Sequence, residues 1–405
     1  MVLLPLMSIS SLSVRLRNLA GVTFRRDFIR SRSYTHALPP TILTKIFGSN
    51  KGKTFGKEAT AGSNSLFASP CLREELFCKT SEPVRDCCHK VAIVGAGMVG
   101  ISVASSLLFQ RITSQIAMVD PFPKKLEGDG LDFLHGSIFM RDPKIEFDTD
   151  FCITANSKVV VICVGARPTK GGTRLDVVHK NTEIIKEIIP ILVNYSPNAV
   201  FVVVSNPVDI MSWITWKISG LPIHQVIGSG TYIDSARFRF MIGDRLGIAP
   251  SSVQAYIIGE HGDSMVPLWS GVSIAGVQFR DVIPNIGLET DDEKWHELSK
   301  EVVTLGAVVR CLKGYTNIAI GLSASDIVAS ILYNTQNVIP VSTQVQGHHD
   351  IDHDMFLSLP CVIGENGITH VIRMHITEYE KKLLHSSANG VFNVQKKIKV
   401  NLKKS

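Results

Sequence analysis

Val91-Ala92-Ile93-Val94-Gly95-Ala96-Gly97-Met98-Val99-Gly100 is an apolar run that breaks into three glycines. Four apolar residues in succession, three of them β-branched, predict a strand buried on both faces, as inside a parallel sheet. The period then changes, with Val99, Val103 and Leu107 at helical spacing. A glycine turn between strand and helix is the setting in which this spacing carries meaning. Gly95 permits the tight turn, Gly97 lets backbone approach a pyrophosphate, and Gly100 lets the helix pack closely on the strand. The helix N-terminus, with Met98 and Val99 in its first turn, then meets phosphate charge.

The next strand, Ile116 to Val119, ends at Asp120, twenty residues past Gly100. A carboxylate there accepts hydrogen bonds from a ribose diol and repels a 2′-phosphate, so NAD is expected over NADP. Lys158 to Val164 and Ala199 to Val204 are further β-branched runs, with a helical segment from Asp176 to Val193 between them. This alternation predicts an α/β fold, a doubly wound parallel sheet of the Rossmann kind, with ligand at the carboxyl ends of its strands.

From Thr231 the pattern turns to helix and hairpin, as expected for an α+β substrate domain. Asp234 to Leu246 reads as a helix stopped by Gly247, and Thr290 with Glu293 as a capping box. Trp295, Leu298, Val302, Leu305 and Val309 trace one apolar helix face, to be covered within the subunit or across an oligomer interface. The expected division is a leader without a packed core at 1–85, a dinucleotide-binding domain at 86–230 and a substrate domain at 231–405.

The net charge of +6 over 405 residues is unevenly placed. Residues 1–57 hold ten Arg and Lys against the single acid Asp27, a net +9 that leaves −3 for the rest. A slightly acidic body argues against a nucleic-acid surface, and no apolar run approaches the length that spans a bilayer. The Arg- and Ser-rich, acid-poor leader has the composition of a mitochondrial transit peptide, with a cytoplasmic chain as the alternative. Eight cysteines lack metal or disulfide spacing, and Cys163 falls in an apolar run as a core residue. His348-His349-Asp350-Ile351-Asp352-His353-Asp354 is read as a solvated turn rather than a metal site, because adjacent side chains point in too many directions. No metal is expected.

Ile258-Gly259-Glu260-His261-Gly262-Asp263-Ser264 sets one histidine between two glycines, directly after the strand-like run Tyr256 to Ile258. Imidazole titrates nearest neutral pH, so His261 is a candidate proton donor and acceptor. Upstream lie Asp234-Ser235-Ala236-Arg237, Ser205-Asn206-Pro207-Val208-Asp209 and Arg167 with Arg174. Arg237 falls three residues past Asp234 on the same helix face, and its planar fork suits a carboxylate. Arg239 should face elsewhere as a surface ion-pairing residue. The glycine-rich stretch Gly165 to Arg174 reads as a mobile lid.

From about Lys90 to Gln395 these motifs together resemble the 2-hydroxy acid dehydrogenases, on the L-lactate dehydrogenase branch of that family and close to its A-type members. The resemblance implies an NAD-dependent oxidoreductase of glycolysis that interconverts lactate and pyruvate by hydride transfer, working as a homotetramer. It assigns His261 as general acid and base, Asp234 as the carboxylate orienting it, and Arg237 as the anchor for the substrate carboxylate. It assigns Arg174 to the substrate carbonyl, Arg167 to the cofactor, Asn206 to both substrate and nicotinamide, and Thr316 to the substrate.

Pro168 stands where lactate dehydrogenases have glutamine and malate dehydrogenases arginine. It supplies neither amide nor charge, which favours pyruvate or a slightly larger apolar 2-oxo acid over a dicarboxylate. Tyr232-Ile233 replaces a usual Asn-Leu pair, and Cys163-Val164 a usual Thr-Ala. These departures leave other readings open: a low-activity NAD-binding paralogue, or a dehydrogenase for another small 2-hydroxy acid, malate among them.

Overall fold

The computed structural model describes residues 89–166 and 174–398. The expected leader at 1–85, Arg167, Pro168 and the Arg174 side chain lie outside them. Six parallel strands open the sheet: β1 (Val91–Val94), β2 (Gln115–Val119), β3 (Lys144–Asp148), β4 (Val159–Ile162), β5 (Val200–Val203) and β6 (Val226–Gly228). Their crossovers carry α1 (Met98–Phe109), α2 (Pro123–His135), α3 (Arg174–Tyr195) and α4 (Val208–Ser219). Every residue of β1, β4 and β5 is buried, as their unbroken apolar sequences require.

The spatial order β6-β5-β4-β1-β2-β3 reverses between β4 and β1, where successive connections leave toward opposite faces. That divergence opens a crevice at the carboxyl ends of the two strands. Alternate residues of β1 feed two different cores. Ala92 and Val94 pack with Ile185 and Ile189 of α3 and Met211 of α4, while Val91 and Ile93 pack with Val103 and Leu107 of α1.

After β6 come α5 (Tyr232–Leu246) and the short strands β7 (Val253–Gln254), β8 (Ile257–Ile258), β9 (Val266–Pro267), β10 (Ser273–Ile274) and β11 (Val277–Gln278). Helices α6 (Trp295–Lys313) and α7 (Ile318–Leu332) follow, then β12 (Asn337–Gln344), β13 (Phe356–Gly364), β14 (Gly367–Val371) and α8 (Glu378–Gln395). The last three strands run antiparallel and join the main sheet at β6, giving one nine-stranded sheet that runs through both halves. A third core forms under α5, where Phe238 meets Trp269 edge-on at 4.8 Å between ring centres and Trp269 meets Trp295 at 5.9 Å.

Several local expectations differ from what forms. Thr290 and Glu293 make no capping box. The Asp291 carboxylate instead takes the N–H groups of Gly287, Glu293 and Trp295, and Lys294 enters α6 in the left-handed region at φ 59°. A reciprocal box forms at the start of α8, between Thr377 and Glu380. The apolar face of α6 is buried at Trp295, Leu298 and Val302, but Val309 is exposed, and on the same half of the helix Gly306, Ala307 and Arg310 line an open cleft. Tyr256 precedes β8 rather than belonging to it. Cys163 is half-buried, packed against the core on one side and lining the cleft on the other, and burial pushes its thiol up to about 12. Among the described residues Arg239 pairs with no acid; it donates to the Val253 carbonyl at 2.6 Å and the Gln254 amide oxygen at 3.0 Å.

Candidate active site

The loop after β8 is held on three sides before its histidine is reached. Gly259, at φ +84°, exchanges two backbone hydrogen bonds of 2.9 Å with Ser358 of β13. The Glu260 N–H donates to Ser387 Oγ of α8 at 3.0 Å, and the His261 N–H donates to Asp209 Oδ2 of α4 at 2.9 Å. Asp209, itself buried, accepts a second bond of 2.6 Å from Ser342 Oγ of β12. Strand, helix and sheet therefore fix the backbone from which the imidazole projects.

The ring is fixed separately. His261 Nδ1 lies 2.5 Å from Asp234 Oδ2, and Arg237 Nη1 lies 2.8 Å from the other oxygen of that carboxylate. Asp234 is 1% exposed in the first turn of α5, whereas the His261 side chain is 23% exposed toward a cleft. Burial by itself pulls the histidine down, but the charge and hydrogen bond of Asp234, with the charge of Asp209, raise it above its usual value. Burial pushes Asp234 up, and the opposed pull of His261 and Arg237 holds it below the usual carboxylate range. With Nδ1 committed to Asp234, Nε2 is the atom that can carry a proton into the cleft.

That cleft, about 770 Å³, is lined by Asn206, Asp234, Arg237, His261 and Thr316, and by Val99 of α1. Six expected site residues from five separate segments thus meet around one space. Asn206 is exposed after β5, at the sheet end. Asn181 of α3 bridges the base of the expected lid: its side chain accepts from the Ala166 N–H and donates to the Asn206 carbonyl, both at 2.7 Å. The placement of Arg167, and of the Arg174 side chain, lies outside the described residues.

The glycine turn fits a dinucleotide. A Cβ on Gly100 would stand 1.9 Å from the Gly95 carbonyl oxygen, so only glycine lets α1 approach β1 this closely. Over Gly97 nothing among the described residues stands within 4 Å, leaving room for a ligand against bare backbone. The N-terminus of α1 has no side-chain cap and no acid in its first turn, so its N–H groups and dipole remain available to an anion. Asp120 braces this turn by accepting the Ala96 N–H at 2.8 Å.

The NAD-binding domain model of the lactate/malate dehydrogenases matches residues 89–228, and the α/β C-terminal domain model of the same family matches 231–401. The chain belongs to the lactate/malate dehydrogenase family. The L-lactate dehydrogenase A chain of Eleginops maclovinus is 49% identical over 310 residues, 76% of this chain and 93% of that relative. The A chain of Danio rerio is 48% identical over the same shares, and that of Fundulus heteroclitus 49% identical over 78% of this chain and 95% of its own.

Reading the dehydrogenase by sequence missed three residues of this site. Asp209 was legible as an acid set in an otherwise apolar segment, Val208 to Ile214, an arrangement that asks for a buried partner. Asn181 carried no such signal. Arg310 lay inside the helix whose apolar face drew attention, yet its side chain lines the cleft. Tyr232, read as a departure bearing on function, is not among the residues lining the cleft. Its hydroxyl donates to Asp326 Oδ2 of α7 at 2.5 Å and ties α5 to that helix.

Proposed function

We propose that this chain is an NAD-dependent L-lactate dehydrogenase interconverting L-lactate and pyruvate. The carrying observation is the Asp234–His261 pair at 2.5 Å with Arg237 on the same carboxylate, opening into a cleft that Asn206 and Thr316 also line. The bound dinucleotide supplies or takes the hydride at C2 of the substrate. Arg237 pairs with the substrate carboxylate and fixes which face of C2 is presented. His261, protonated at Nε2 and steadied by Asp234, gives its proton to the developing alkoxide in pyruvate reduction and takes it back in lactate oxidation. Arg174 stabilises the carbonyl oxygen as charge builds, Arg167 contacts the cofactor, Asn206 orients carbonyl and nicotinamide, and Thr316 borders the substrate.

Purified full-length protein given pyruvate and NADH should consume NADH, and His261→Asn should abolish the reaction while NADH still binds. An unreactive wild type, or an active His261→Asn, contradicts the proposal.

The working form we propose is a homotetramer. Supporting it, Phe139 is 83% exposed, Ile138 72%, and Leu131 and Leu134 of α2 add to the same apolar stretch. Light scattering on the eluting protein reads the assembly, and a monomer would refute it. The Arg- and Ser-rich leader supports mitochondrial import; a fluorescent fusion that stays cytoplasmic refutes that.

A further inference from the structure

A second cavity, about 330 Å³, lies beside the substrate cleft, between α6, the start of α8 and the segment Arg280 to Glu289. Met265 and Val303 line both spaces, so the two share a wall. Most of the lining is apolar, with Pro267, Trp269, Ile286, Leu288 and Leu383 contributing. The polar groups lean to one sign. His296 and Lys300 fall with Val303 on one face of α6, and Arg280 joins them from the neighbouring segment. Among the described residues Arg280 and Lys300 make neither an ion pair nor a side-chain hydrogen bond. His296 Nδ1 is buried and has no hydrogen-bond partner among them, a loss that a ligand bonding to it would offset. Of the two acids in the lining, Glu380 is already committed: it accepts the Ser270 N–H at 3.0 Å, the Ser270 hydroxyl at 2.7 Å, the Thr377 N–H at 2.8 Å and the Thr377 hydroxyl at 2.9 Å. That leaves Glu289 against two cations and an imidazole.

We propose that this cavity is a regulatory site for a medium-chain fatty acid. Lys300, Arg280 and the Nδ1–H of His296 hold its carboxylate, and its aliphatic chain lies along the apolar walls. The volume stands at the small end of ligand pockets, which begin at about 300 Å³, and suits a molecule of octanoate's size. An occupant presses on Met265 and Val303 and through them reaches the space in which the substrate lies. Binding here is independent of the dehydrogenase reading; its effect on turnover rests on that reading.

Calorimetric titration of the full-length protein tests the site with octanoate, and with octanol, octylamine and acetate for comparison. Octanoate should bind, and the others about tenfold or more weaker, because octanol lacks the charge, octylamine inverts it and acetate lacks the chain. Lys300→Glu at the head and Leu383→Glu along the chain should each weaken octanoate by about tenfold, with the unfolding temperature and kcat/KM for pyruvate unchanged. Saturating octanoate should change kcat for pyruvate in the wild type. Absence of binding, equal binding of octanol, or binding that survives both variants overturns the proposal. Purely competitive inhibition against pyruvate also overturns it, placing octanoate in the substrate cleft, and an unchanged kcat at saturation overturns the coupling across the shared wall. A wild type that binds octanoate but does not reduce pyruvate overturns the dehydrogenase reading and leaves the site standing.

Discussion

Asp209 Oδ2 accepts the backbone N–H of His261 at 2.9 Å, so the histidine is held by one carboxylate through its backbone and by another, Asp234, through its ring. The two acids come from different helices, α4 and α5. Only the second was assigned a role from sequence.

Asp209 is costly to keep ionised. Burial pushes it up to about 6, against the opposing pull of hydrogen bonds from Ser342 and from the His261 backbone. An unfolded aspartate ionises near 4, so the folded state loses stability as pH rises from there through about 6, a cost of roughly 3 kcal/mol at neutral pH. Asp209→Asn keeps an acceptor for His261, offers an amide to Ser342 and carries no charge. At pH 8 it should match or exceed the wild type in urea unfolding, with the difference narrowing as pH falls toward 5. Its pyruvate reduction should fail at lower pH than the wild type's, because one of the charges that raise His261 is gone. A variant clearly less stable at pH 8 would refute the burial cost.

The raised histidine fixes the direction of the pH dependence. Pyruvate reduction needs the protonated ring, so its kcat/KM should hold to a pH above the usual histidine value and fall beyond it, while lactate oxidation rises. The same group stabilises the fold below its unfolded value, near 6.5, and that contribution fades as pH rises through the folded one. Asp234→Asn should move both profiles to lower pH and cut the rate by about 10²- to 10⁴-fold. Profiles that do not move would show that Asp234 leaves the ring unaffected.

Arg237→Lys tests the planar fork. The guanidinium reaches Asp234 with one nitrogen and has others for the substrate; an ammonium on a shorter, single-point reach cannot serve both. Loss of about 2 to 4 kcal/mol in kcat/KM for pyruvate is expected, read in steady-state kinetics mostly as a raised KM. Wild-type kinetics in the lysine variant would count against a bidentate anchor.

The glycine turn offers a paired test. Gly100→Ala drives a methyl group into the Gly95 carbonyl and should lower the unfolding temperature by several degrees as well as weaken NADH binding. Gly97→Ala adds its methyl where nothing among the described residues stands within 4 Å, so the fold should keep its stability while fluorescence titration shows weakened NADH binding. Equal unfolding temperatures for the two variants would contradict the packing argument.

The parallel half of the fold was readable because Val91 to Val94, Val159 to Ile162 and Val200 to Val203 are continuous apolar runs between helical periods. Strands of two residues such as β7 to β11 have no period to detect, and β12 to β14 gave no hint that they would join the same sheet. The pairing of His261 with Asp234 was legible as residue types, but not its geometry. Asp209, Asn181 and Arg310 escaped because their parts depend on which helices meet, a long-range fact no local pattern carries. The capping box at Thr290 failed for a related reason: a buried Asp291 competed for the same N–H groups.

The nine-stranded sheet also bears on how the molecule comes apart. Ser342 of β12 lies in register with Gly228 of β6, and Gly228 leaves no room for a side chain, with Ser212 and Ser342 within 2.7 Å of where one would begin. Strand pairing at this point joins the dinucleotide half to the catalytic half. Neither piece, severed near residue 230, would keep its border strand covered; each would present a raw edge inviting aggregation. Melting should accordingly be a single concerted event in calorimetry, without separate transitions for two lobes.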